Sequence, residues 1–340
     1  MRRGLVALFM AAGVLAALGP GSVDAQSFYK GKTVRIVVGS TAGGGLDAYA
    51  RAVGRHLGKH VPGNPTVIVE NMPGAGSLIA ANHVYRVAKP DGLTIGHFLG
   101  SLLLGQALGQ PGIEFDARKF QFLGAANRED VVCGLTRASG ITTIDKWLAA
   151  RTPVKIGGVA PGAPPDNTPR ILKAVLGLPL QIVSGYKGTA EVRLAAEAGE
   201  VAGGCWSWDS MRATWRKALD AGETIPVVQV TPKPLRDLPG VPLAISLVKT
   251  EEARRLVQAM QASGVYARPF ALPPGIPAER VQALRKAFQA VMEDKEFLAE
   301  TEKTKLTVDP VAGDDLQRLV AEIFAMEPTM LAKLKEILYN

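Results

Sequence analysis

Thr33-Val34-Arg35-Ile36-Val37-Val38-Gly39-Ser40-Thr41-Ala42-Gly43-Gly44-Gly45-Leu46-Asp47 is the stretch that decides the fold. A β-branched run ends in a glycine-rich turn. Leu46, Tyr49, Ala50, Val53 and Leu57 then recur at helical spacing. The reading is strand, turn, helix, with the strand buried on both faces. The same order repeats at once: a strand over 66–69, then Glu70-Asn71-Met72-Pro73-Gly74-Ala75-Gly76-Ser77, then a helix over 78–87. Each turn leaves backbone N–H groups free at a helix N-terminus, where the dipole favours negative charge. Two such turns in succession make a cradle for an anion. A tight turn without a ligand is the plainer reading of either one alone.

Working outward, Lys89-Pro90-Asp91-Gly92 is a turn into a strand over 93–98. This β-α-β-α-β order predicts a parallel sheet with helices on both faces. A second unit follows, with strands over 154–157, 180–183 and 201–206 and helices over 168–176 and 190–198. One further strand is expected over 227–230, and the proline-rich segment 232–242 reads as a loop. Residues 251–263 read as helix, 265–270 as extended chain, and Pro277 opens another helix. Helices over 316–324 and 330–338 finish the chain. The fold class is α/β, with two doubly wound lobes and a ligand cleft between them. Lobe 1 is residues 26–127 plus 231–340, and lobe 2, residues 128–230, is inserted into it. Ligands of such folds sit in the cleft.

Residues 1–25 carry Arg2 and Arg3, an apolar run over 5–18, and Val23-Asp24-Ala25. That is the pattern of a signal peptide cleaved near Ala25, before Gln26. An uncleaved membrane anchor is the alternative, but the run is short for a bilayer. The mature protein is expected to be exported and soluble. The net charge is +8, which suits anionic ligands or an acidic membrane surface. No run of Lys and Arg interleaved with aromatics occurs, so nucleic acid is discounted as a partner. Cys133 and Cys205 either pair in an oxidising compartment or stay as buried thiols. No CxxC motif is present, which disfavours redox chemistry and structural zinc.

Enzyme readings lack their residues. The turn at 39–45 matches neither G-x-G-x-x-G nor G-x-x-x-x-G-K-S/T. Glu70 stands where a dinucleotide fold places its ribose-binding acid, but nicotinamide cofactors are not exported. His56 and His60 are four apart on one helix with no third ligand evident, so a solvated helix face is the preferred reading. Ser77, Ser184 and Ser207 lack a nucleophile-elbow context, and no close carboxylate pair stands out.

The ligand-binding candidates in lobe 1 are Ser40, Thr41, Gly43, Gly44, Gly45 and Asp47 in the first turn. The second turn adds Pro73, Gly74, Ala75, Gly76 and Ser77. Lobe 2 supplies Gly162, Asn167 and Thr168, with Tyr186, Lys187 and Thr189 from a strand-to-helix turn. Trp206 joins them, and it shares a face with Trp208 if 201–208 is extended. Core packing is the plainer role for those aromatics.

The chain resembles periplasmic substrate-binding proteins of the tripartite tricarboxylate transporter type, the Bug family. The resemblance rests on Gly43-Gly44 with Asp47 and Arg51, on Val69-Glu70-Asn71 with Pro73-Gly74-Ala75-Gly76, and on Pro90-Asp91-Gly92-Leu93-Thr94. Tyr186-Lys187-Gly188, Gly199-Glu200-Val201, Leu238-Pro239-Gly240-Val241-Pro242 and Ala271-Leu272-Pro273-Pro274-Gly275-Ile276-Pro277 follow in order. It implies two lobes closing on a small carboxylate. It also implies first-lobe loops that grip a carboxyl group through backbone N–H groups and water, and delivery to a two-subunit membrane permease. Departures fall at Gly39-Ser40, where the family usually has Pro-Phe, at Val159 to Asp166, and at Ala202, where an Asp is usual. The expectation is a monomeric periplasmic solute-binding protein that needs no cofactor or metal and is not an enzyme. Its rivals are a ligand-sensing receptor for a signalling partner and an exported enzyme acting on an acidic substrate.

Overall fold

The computed structural model describes residues 28–339, so the signal peptide expected over 1–25 lies outside the described residues. The strands are β1 (Thr33–Val38), β2 (Thr66–Asn71), β3 (Thr94–His97), β4 (Gln121–Ala125), β5 (Val131–Thr136), β6 (Val154–Gly157), β7 (Leu180–Val183), β8 (Gly203–Ser207), β9 (Thr224–Val230), β10 (Phe270–Leu272) and β11 (Val311–Ala312). They form two sheets, ordered β11-β4-β10-β3-β1-β2 and β7-β6-β8-β5-β9. β1 runs parallel to β2 and β3, with Ile36 opposite Val69 on one side and Ile95 on the other. In the second sheet β6 is parallel to β7 and β8, while β5 is antiparallel to β8 and β9. The protein is thus mixed α/β, with helices flanking both sheets.

The expected parallel pairing of the first three strands holds, and β10 and β11 add antiparallel strands to that sheet. β10 runs antiparallel to β3 and β4, and β11 antiparallel to β4. Both come from the last third of the chain, which re-enters the first sheet from the other direction. β4 and β5 were not anticipated from sequence. Gly124 and Gly134 interrupt their apolar runs, and a glycine weakens the local strand signal. Gly124 is there for close packing: a Cβ on it would lie 2.6 Å from the Phe288 ring. The expected extended segment 265–270 is instead a 3₁₀ turn at Gly264–Tyr266, with the strand beginning only at Phe270.

The helix Gly45–His60 packs against β2 and β1. Glycine permits the approach, since a Cβ on Gly58 would meet the Pro65 carbonyl oxygen at 2.5 Å. Helices Glu251–Ser263 and Pro328–Tyr339 both pack on Pro164–Leu176, beside the second sheet. Cys133 on β5 lies directly opposite Cys205 on β8, and the two are disulfide-bonded. Trp208 does not share a strand face with Trp206. β8 stops at Ser207, Trp208 opens the helix Trp208–Thr214, and its indole donates to Asp237 (2.9 Å).

The chain passes from the first sheet to the second between Ala125 and Val131 and returns between Val230 and Phe270. The two crossings are tied where the Glu129 N–H donates to the Gly264 carbonyl (2.8 Å). Asp130 lies on the first crossing. Burial, and then the charges of Asp209, Asp309 and Glu129, push its carboxyl up to about 6. An acid raised in the fold above its unfolded value penalises the ionised native state, so the penalty is present above pH 6 and is relieved as pH falls towards 4. Asp130→Asn is therefore expected to raise stability at pH 7.5 by roughly 1–2 kcal/mol. It should also abolish the gain that the wild type shows on acidification from pH 7 to 5. Denaturant midpoints of both proteins across that range check this.

Candidate functional site

The first glycine turn is clamped from three sides. The Gly39 N–H donates to the His97 carbonyl (2.9 Å), and the Ser77 hydroxyl donates to the Gly39 carbonyl (2.8 Å). Asn71, at the end of β2, donates its Nδ2 to the Ser40 carbonyl and to Asp47 Oδ1, both at 2.9 Å. Asp47 Oδ2 accepts from the Gly43 N–H (2.9 Å) and Arg51 Nε (3.0 Å). Burial alone would raise the Asp47 carboxyl. The hydrogen bonds from Arg51, Gly43 and Asn71, with the Arg51 charge, hold it below the ordinary carboxylate value. Asp47 is therefore a clamp on the turn, and its charge is neutralised by Arg51. Among the described residues, the N–H groups of Ser40, Thr41, Ala42 and Gly44 have no hydrogen-bond acceptor. Asp47→Ala frees the turn and leaves Arg51 and Asn71 without their shared acceptor. It is expected to cost about 1–3 kcal/mol of stability, read as a lower denaturant midpoint.

The second lobe faces this turn at contact distance. A Cβ on Gly188 would lie 3.0 Å from Thr41 Oγ1, and one on Gly44 would lie 3.6 Å from Thr189 Oγ1. A cavity of about 40 Å³ lies between the lobes. Six of the expected residues line it: Ser40, Gly44 and Gly45 from the first lobe, and Lys187, Thr189 and Trp206 from the second. Thr41 lies at its edge, against Gly188. Several polar atoms around the cleft are buried without a partner among the described residues, including Thr41 Oγ1, Ser210 Oγ and Trp206 Nε1. Each such group costs about 1–3 kcal/mol while unpaired.

Other expected residues stand elsewhere. The second turn runs through left-handed backbone at Ala75 (φ 45°), Gly76 (φ 60°) and Ser77 (φ 73°). It sets Gly76 against Ala160 and Ala163, so residues 73–77 buttress the first turn and the second lobe rather than line the cavity. Asn167 donates to the Gly162 carbonyl (2.8 Å), and Thr168 is buried in the same helix. Tyr186 points away, its hydroxyl donating to Glu200 (2.5 Å) at the surface. The departure at 159–166 has a physical reason. The buried Asp166 carboxylate accepts from the Val159 (2.6 Å) and Ala160 (3.0 Å) N–H groups and from Ser184, so this turn holds the chain's own anion.

Sequence reading missed Glu129, Ser210 and Arg268. Their segments carry no motif, and the one available signal was a single arginine inside the apolar run 265–272. His56 and His60 do meet acids that the sequence did not reveal. His56 Nε2 lies 2.9 Å from Glu300, and His60 Nε2 lies 2.7 Å from Asp294. Lys59 Nζ lies 2.7 Å from Asp294 and 2.6 Å from Glu296, so a lysine already supplies the cation there.

The profile of the tripartite tricarboxylate transporter family receptor matches residues 50–335. The chain belongs to that family. Its members are solute receptors, and this receptor is a binding protein rather than an enzyme. A UPF0065 protein of Bordetella bronchiseptica is 36% identical over 117 residues, 34% of each chain. Another, of Agrobacterium vitis, is 29% identical over 185 residues, 53% of this chain and 52% of its own. The receptor thus spans about a third to a half of these curated relatives. In fold it is similar to the periplasmic binding protein BugD, with a TM-score of 0.71 at 20% identity over 91% of this chain and 98% of that one. It is similar also to MatC of Rhodopseudomonas palustris, solved with malate, with a TM-score of 0.70 at 20% identity over 90% and 99%. A second protein of that organism, solved with adipate, gives 0.72 at 21% identity over 90% and 97%. These likenesses show the fold.

Proposed function

We propose that this receptor captures a small organic carboxylate in the cleft between its lobes and delivers it to a two-subunit membrane permease. The observation that carries the reading is the set of partnerless N–H groups of Ser40, Thr41, Ala42 and Gly44 at the N-terminus of a 16-residue helix, with Ser40 and Gly44 lining a cavity that the second lobe faces. Amides at a helix N-terminus bind carboxylates without further charge. The carboxylates bound by the two Rhodopseudomonas palustris neighbours support the same chemistry. The signal-peptide pattern of residues 1–25 supports export to the periplasm, and the receptor acts there as a monomer. Closure bends the crossings near Glu129 and Gly264 as the lobes meet. Thermal-shift screening against mono- and dicarboxylates, amines and sugars tests this. Stabilisation by carboxylates alone is expected, and stabilisation by an amine or sugar with no response to any acid overturns it.

A further inference from the structure

Glu129 and Arg268 stand where the two crossings meet the cavity. Both line it, and both side chains are buried, 4% and 5% exposed. Arg268 Nη2 donates to Glu129 Oε1 (3.0 Å), and the guanidinium lies over the Tyr49 ring, 5.2 Å from its centre. Arg268 Nε and Nη1 are buried with no partner among the described residues. An arginine alone would suit a cleft for anions. Glu129 cancels that charge, so the pair presents donors and an acceptor with no net attraction for a second anion.

From this we infer that Glu129 and Arg268 read a hydroxyl group on the ligand, and that the ligand class is a 2-hydroxycarboxylate. A hydroxyl accepts from Arg268 and donates to Glu129 at once. An ammonium leaves the arginine donors unpaired, and a second carboxylate faces Glu129 at close range. The position of the hydroxyl follows from Gly45. A Cβ there would lie 3.2 Å from Arg268 Nη2, so the pair abuts the same helix N-terminus that receives the carboxylate. The group it reads is therefore on the carbon next to the carboxyl.

The inference rests on the carboxylate reading proposed above, and one experiment separates their failures. Calorimetric titration compares L-lactate with propionate and L-malate with succinate, on the full mature chain. The wild type is expected to bind the hydroxy acid of at least one pair about 10- to 100-fold more tightly. In Glu129→Leu/Arg268→Met, which replaces both ions by apolar groups of similar size, the ratio is expected to fall to about 1. Glu129→Gln keeps a polar group and serves as the second variant, with a ratio reduced to a few-fold; circular dichroism confirms the fold of each. If no acid binds the wild type, the carboxylate reading falls and this inference with it. If acids bind but propionate and succinate match their hydroxy partners, or if the preference survives in the double variant, this inference alone is overturned.

Discussion

Replacing Gly45 with alanine is expected to weaken acid binding by about 10- to 100-fold and to hold the lobes apart. A Cβ on Gly45 would lie 2.1 Å from Ser210 Oγ and 2.6 Å from its Cβ, well inside contact distance. Gly45 opens the first-lobe helix, whereas Ser210 sits on Trp208–Thr214, which follows β8 of the second sheet. The clash therefore opposes closure, and it does so at the edge of the amide row. Overpacking of this kind costs about 1–3 kcal/mol, which falls on the closed form and so on affinity. Gly45 has no positive φ, so the open form and overall stability should change little. L-malate or L-lactate titrated by calorimetry gives the affinity, and small-angle scattering with saturating acid gives the shape. Wild-type affinity with a compact shape in the variant would show that Gly45 is not at the closing surface.

Loss of the Cys133–Cys205 bond is expected to cost about 2–4 kcal/mol. The cysteines are 72 residues apart, and a loop of that length loses about 4 kcal/mol of unfolded-state entropy when closed, by the chain-entropy account. The bond joins two central strands, with Cys133 and Cys205 both fully buried among the second-sheet core. Reductant reaches it poorly in the native state, so the effect is read best in Cys133→Ala/Cys205→Ala. Urea titration of the variant should show a lower midpoint, and reductant should lower the wild-type midpoint towards it while leaving the variant unmoved. Equal midpoints for wild type and variant would mean that the bond does not stabilise the fold.

What the sequence made legible was local. The β-branched run of β1, the glycine turn after it and the apolar stripe of Gly45–His60 are decided within about thirty residues, and all appear where expected. Glu251–Ser263 appears with the bounds expected. What escaped was set by distant packing. β10 and β11 join the first sheet only after the chain has built the second, and no short-range pattern records their direction. The cleft divides the same way. Ser40, Gly44 and Gly45 were visible as a turn, and Lys187 and Thr189 as its counterpart. Glu129 and Arg268 meet across 139 residues, so their pairing exists only in three dimensions. Asp47 was visible as part of the first turn, but that it and Asp166 each bind their own turn depended on side-chain reach.

The most direct test of the central claim is the amide signal of glycine-¹⁵N-labelled receptor during titration with the acid that stabilises it most. Gly44 and Gly45 are expected to shift strongly and to saturate with the calorimetric affinity, while surface glycines such as Gly140 and Gly177 stay in place. Saturable binding that leaves Gly44 and Gly45 unmoved would contradict a carboxylate held at the head of that helix.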